Sequence, residues 1–166
     1  MVGVNSDTGR YGRMASEAPL SCSIVVDSKL SAVTSVCSQI LSVLEQKRFS
    51  QDDIFAMHLA VEEAFLNAVK HGNKMDPNKK VQIDCSVDGD KIELSVTDQG
   101  EGFDPESIPD PRVGKNLYKP EGRGLLLINS YMDVVGFNKR GNSIHMIRYR
   151  DRPSLADGPP GKAGAQ

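Results

Sequence analysis

Two runs of strict alternation joined by a tight turn do most to limit what this chain can fold into. Residues 81–87 (VQIDCSV) and 91–97 (KIELSVT) place apolar side chains at every second position. That period lines one face of a strand and leaves the other polar. Asp88-Gly89 between them is a strong two-residue hairpin signal. An antiparallel pair with one apolar face needs a cover, and the preceding sequence supplies helices for it. Residues 29–47 carry Leu30, Val33, Val36, Cys37, Ile40, Leu41 and Leu44 at helical spacing. A second helix is expected from Ser50, with the Ser50 hydroxyl and Asp53 carboxylate as a capping box, to a left-handed stop at Gly72. Its apolar stripe is Ile54, Met57, Val61, Ala64, Phe65 and Ala68.

A short strand at 22–26 precedes these helices. After the hairpin come about 20 residues, 100–120, with four prolines, three glycines and no period. A structureless connection of that length is unusual inside a compact domain. Then Gly122-Arg123-Gly124 opens a third helix through Leu125, Leu127, Ile128, Tyr131 and Met132, and a second hairpin, 134–138 with 143–149, closes the domain. The order predicts an α+β two-layer sandwich, a mixed, mostly antiparallel sheet covered on one face by helices. It is the order of neither a doubly wound dinucleotide fold nor a P-loop protein. Residues 1–19 and 151–166 read as flexible tails around a single domain, 20–150.

A net charge of -2 over 166 residues offers no basic field for nucleic acid or an anionic membrane. No segment approaches the roughly 18 apolar residues of a spanning helix, so a cytoplasmic location is expected. Cys22, Cys37 and Cys85 are odd in number and sit in apolar segments, which reads as small core residues rather than a disulfide or zinc framework.

Three places hold residues suited to chemistry. On the second helix, Glu63 and Asn67 are four apart and off the apolar stripe, so they project together, with Ala56 and Ala60 leaving a shallow groove beside them. One Asn oxygen plus phosphate oxygens makes a sensible Mg²⁺ shell, and Glu63 is placed to accept a proton; the same side chains also fit a solvated helix face. Asp98 ends a strand, where a carboxylate can accept from an exocyclic amine such as that of adenine. Gly100 and Gly102 after it allow positive φ and close backbone approach, although a plain turn has the same pattern. Gly122 and Gly124 let a helix N-terminus approach phosphates, to which Lys119 and Arg123 would add charge.

The succession of polar helix face, strand-end Asp-x-Gly-x-Gly, long loop and Gly-rich helix start resembles the nucleotide-binding domain shared by histidine kinases, gyrase and MutL. Within that superfamily, AVEEAFLNAVKHGN (60–73), TDQGEGFDP (97–105) and EGRGLLLINSYMD (121–133) resemble the motifs of the anti-sigma factor serine kinases of the RsbW and SpoIIAB type. The resemblance implies the Bergerat fold, Glu63 as general base, Asn67 as Mg²⁺ ligand, Asp98 as the adenine acceptor, and Gly100, Gly102, Gly122 and Gly124 flanking an ATP lid. Gly141-Asn142-Ser143 stands where relatives often have Gly-Thr-Thr, which makes Ser143 the candidate nucleotide contact there. Gly124-Leu125-Leu126-Leu127 departs from the usual Gly-Leu-Gly-Leu.

The same resemblance implies ATP and Mg²⁺ as cofactors, a homodimer, and two protein partners. These are a sigma factor and an anti-anti-sigma STAS-domain protein phosphorylated on serine or threonine. The leading expectation is thus an ATP-dependent protein serine/threonine kinase that also sequesters a sigma factor. Alternatives are a nucleotide-gated binding module of the same fold without kinase activity, and a small ATPase.

Overall fold

The computed structural model describes residues 18–107 and 123–150. The candidate residues Lys119 and Gly122, most of the expected lid, and nearly all of both expected tails lie outside the described residues. Strands β1 (Leu20–Asp27), β2 (Lys80–Val87), β3 (Lys91–Asp98), β4 (Val134–Phe137) and β5 (Ser143–Tyr149) form one sheet in the order β1-β2-β3-β5-β4. All four pairings are antiparallel. Helices α1 (Val33–Gln46), α2 (Gln51–Asn67) and α3 (Arg123–Tyr131) complete the α+β sandwich.

The alternation read from the sequence sorts the two faces of the sheet. Ile83, Cys85, Leu94, Val96, Ile144 and Met146 are buried, against Val36, Ile40 and Leu44 of α1 and Met57, Val61 and Phe65 of α2. On the other face Ser23, Asp84, Ser95 and His145 stand in register across four strands. Each large apolar side chain buried on the first face contributes roughly 1.5–3 kcal/mol. A one-residue slip would exchange it for a hydroxyl or a charge, so the register is strongly specified. Burial also pushes the Cys37 thiol up to about 11, in keeping with a core residue.

Helix α3 runs antiparallel to α2. Tyr131 at its end meets Phe55 near the start of α2, edge to face at 6.1 Å, while Gly124 at its beginning lies against Glu63 and Asn67. Ala56 and Ala60 therefore lie under the middle of α3, each only 1% exposed. The shallow groove expected beside them is filled: their small side chains admit a helix.

The geometry corrects two local expectations and adds a partner to a third. Asp88 N–H donates to Lys91 O at 3.1 Å, so the hairpin turns on Gly89-Asp90, one residue later than expected. Gly89 does not take positive φ; the Asp88 carboxylate closes the turn instead, accepting from the Asp90 and Lys91 N–H groups at 2.8 and 2.9 Å. At the start of α2 the Ser50 hydroxyl caps Asp53 N–H at 3.1 Å as expected, and the buried Asp53 carboxylate takes Nε of Arg148 at 2.7 Å, a partner outside the capping pattern. Gly72, finally, is not left-handed; that conformation falls to Lys74 and Met75, with φ of 55° and 61°.

Candidate functional site

The end of α2 explains why glycine stands at position 72. Residues Ala68–Gly72 form a π-turn, closed by Asn73 N–H to Ala68 O at 2.7 Å. Widened turns of this kind recur at functional sites. The turn carries the Gly72 backbone so close to β3 that a Cβ there would fall on the Asp98 carboxylate. A Cβ at Gly100 would in turn fall on the Gly72 carbonyl. Gly72, Asp98 and Gly100 thus make one corner with no room for a side chain at either glycine.

In that corner Asp98 is half-buried and accepts from the Gly100 N–H at 2.7 Å. Burial raises its pKa above the ordinary carboxylate value, opposed by the Gly100 N–H and by the charges of Lys79 and Arg140. The segment after it is locked to the β4–β5 loop. Asn142 Nδ2 donates to Asp98 O at 2.7 Å and Arg140 Nη2 to Gly100 O at 3.0 Å; Phe103 N–H donates to Arg140 O at 3.1 Å. Gly102 and Gly141 both take positive φ, 77° and 74°, and a Cβ on either would strike the opposite backbone. Phe103, where the long loop leaves the site, packs edge to face on Phe137 at 5.1 Å.

A second cluster forms at the start of α3. A Cβ on the buried Gly124 would run into Oε2 of Glu63 and lie 3.3 Å from Nδ2 of Asn67. The neighbouring carboxylate, Glu62, instead pairs with His58 one turn back at 3.9 Å, so of the two acids Glu63 is the one facing α3. Asn67 and Gly72 are separated by five positions, about 7 Å along a helix axis. The Glu63–Asn67–Gly124 cluster and the Gly72–Asp98–Gly100 corner therefore both lie at the C-terminal end of α2.

Chemically, one cluster offers a carboxylate and a carboxamide beside a helix N-terminus, whose unpaired N–H groups favour anions. The other offers an acceptor at the bottom of a glycine-walled corner. No group of three or more His, Cys, Asp or Glu able to hold a metal occurs among the described residues. A single amide oxygen completed by phosphate oxygens is a donor set that suits Mg²⁺.

The structure thus brings Glu63, Asn67, Asp98, Gly100 and Gly124 to one end of α2, with Gly102 bracing the loop and Arg123 exposed at the first position of α3. Ser143 is not among them. It pairs with Thr97 and shares a 2.7 Å hydrogen bond with it on the face away from the helices, because alternation sends neighbours Asp98 and Thr97 to opposite sides. Gly72, Asn73 and Asn142 lie inside quoted motifs but were given no role at the site, and Arg140 was not singled out at all. Their signal is spatial: each acts on a segment at least 26 residues away in the chain.

Comparison with known proteins agrees with the fold. Residues 26–148 match the histidine kinase-like ATPase domain. The serine-protein kinase RsbW of Bacillus licheniformis is 35% identical over 120 residues, 66% of this chain and 73% of that one. The anti-sigma F factor of Oceanobacillus iheyensis is 29% identical over 116 residues, covering 66% and 78%. In fold, the chain is similar to a crystal structure of the RsbU and RsbW domains of a Mycobacterium tuberculosis protein. The TM-score is 0.56 at 18% identity, over 81% of this chain and 34% of that one. With the family match spanning residues 26–148, most of the chain, and relatives named as RsbW kinase and anti-sigma factor, the protein belongs to the histidine kinase-like ATPase domain family, in its RsbW and anti-sigma factor branch.

Proposed function

We propose that the chain is an ATP- and Mg²⁺-dependent protein serine/threonine kinase and anti-sigma factor. Its proposed partners are an anti-anti-sigma STAS-domain protein, which it phosphorylates, and a sigma factor, which it sequesters, with the chain acting as a cytoplasmic homodimer. The names of its relatives support the activity and the partners. No helix among the described residues is long and apolar enough to cross a membrane.

The observation that carries the reading is the approach of Gly124 to Glu63 and Asn67 beside the Asp98 corner. In it, Asp98 accepts from the 6-amino group of adenine, and Gly72 and Gly100 let the end of α2 close against β3 so that the carboxylate is held at the corner. Gly122, Gly124, Arg123 and Lys119 bind the phosphates where the loop re-enters the fold. Mg²⁺ held by Asn67 would neutralise charge on those phosphates, the larger part of catalysis in phosphoryl transfer. Glu63 takes the proton of the incoming serine hydroxyl, which positioned general bases make roughly 10²–10⁴-fold faster. A carboxylate turned toward the start of α3 favours this reading over a binding module that does not transfer phosphate.

The test is label transfer from γ-³²P-ATP to a STAS-domain partner. Glu63→Gln should lower transfer about 100-fold or more while ATP affinity stays within a few-fold. Nucleotide-dependent complex formation with no transfer by the unaltered protein would replace the kinase with the module.

A further inference from the structure

Asn73 is fully buried, and both ends of its carboxamide are in use. Nδ2 donates to Ser28 Oγ at 3.1 Å and to Lys80 O at 2.9 Å, while Oδ1 accepts from the Gln99 N–H at 2.8 Å. One side chain therefore joins the exit of β1, the entry of β2 and the turn after β3 to the end of α2. The Gln99 N–H belongs to the same planar peptide unit as the Asp98 carbonyl, which is held from the opposite side by Asn142 Nδ2 at 2.7 Å. That unit is fixed at both its donor and its acceptor. Fixing it sets the backbone torsion from which the Asp98 carboxylate is aimed into the glycine corner.

We propose that Asn73 is a positioning residue that aims the Asp98 carboxylate, and through it sets the preference of the nucleotide site for a 6-amino purine. The inference rests on the reading of Asp98 as the adenine acceptor. Asparagine suits the place because it supplies two donors and an acceptor within one short, uncharged reach. Alanine would leave Gln99 N–H and Lys80 O without their partner, and aspartate would bring a charge and lose both donations. Asn142 acts as the second arm of the same clamp.

The experiment measures the affinities of ATP and inosine triphosphate, which lacks the 6-amino group, each with Mg²⁺ by calorimetry. The proteins are the unaltered chain, Asp98→Asn, Asn73→Ala, Asn142→Ala and Ser28→Ala. The unaltered protein should prefer ATP by about tenfold or more, the worth of one hydrogen bond to a charged group. Asn73→Ala and Asn142→Ala should bring that ratio toward unity chiefly by weakening ATP. Ser28→Ala, which removes a partner of Asn73 outside the turn, should lower Tm yet keep the ratio.

An unaltered protein with no preference for ATP, or an Asp98→Asn variant that keeps the full preference, overturns the adenine reading and this inference together. A ratio lost in Asp98→Asn but kept in Asn73→Ala overturns the inference alone, as does a ratio lost equally in Ser28→Ala. Should Asn73→Ala fail to fold, Asn142→Ala decides, since its side chain is half-exposed; an unchanged ratio there overturns the clamp.

Discussion

Asp98 shows at the scale of a residue how a binding group is kept at the expense of stability. Burial raises its pKa, so the folded protein disfavours the ionised form. For an acid whose folded pKa is raised, the favourable contribution is complete below the ordinary carboxylate value and is lost as pH climbs through the folded one. Asp98→Asn keeps an acceptor for the Gly100 N–H and removes the charge. Its Tm should therefore exceed that of the unaltered protein at about pH 7, with the gap closing as pH falls through the carboxylate range. Thermal melts across that range check it; a gap that widens in acid would contradict the burial argument. ATP affinity should fall in the same variant, separating function from stability in one side chain.

At the scale of elements, the helices and the sheet are joined by a buried polar link as well as by the apolar core. The Arg148 guanidinium on β5 donates Nε to the buried Asp53 carboxylate at 2.7 Å and Nη1 to Tyr131 O, the last residue of α3, at 2.6 Å. Arg148 thus sets where α2 begins relative to where α3 ends, and so how Gly124 meets Glu63 at the other end of the same pair. Removing one partner of a buried ion pair leaves a buried charge and costs about 3–5 kcal/mol. Asp53→Ala should lose that much by urea denaturation. Asp53→Leu combined with Arg148→Met should recover most of it, because an apolar pair of similar volume has no charge to desolvate. A double variant no better than the single one would assign the loss to helix capping instead. Asp53 was legible as a cap residue; its partner lies 95 positions away, beyond the reach of any local pattern.

At the scale of the whole molecule, the two clusters are joined through the end of α2 and share its stability with β3 and α3. A ligand spanning both should stabilise the fold as a unit. At 100 times Kd, linkage gives about 2.7 kcal/mol, a Tm rise of several degrees for a chain of this size. Mg²⁺-ATP should produce that rise in a single cooperative transition, and Glu63→Gln should retain it, since Glu63 is assigned to transfer rather than binding. A transition that splits on adding nucleotide would mean that the clusters do not act as one site.

Periodicity and turn chemistry in the sequence were enough to determine which segments are strands and helices, which sheet face is covered, and which carboxylates and glycines stand at element ends. These are short-range properties, set by spacings of two to four residues. Only the tertiary structure decided that Ala56 and Ala60 receive a helix, that Gly72 is required by the Asp98 carboxylate, and that Asn73 and Asn142 hold one peptide unit. Each of those depends on which distant segment arrives at a given place, and that is set by packing the whole core rather than by any run of neighbouring residues.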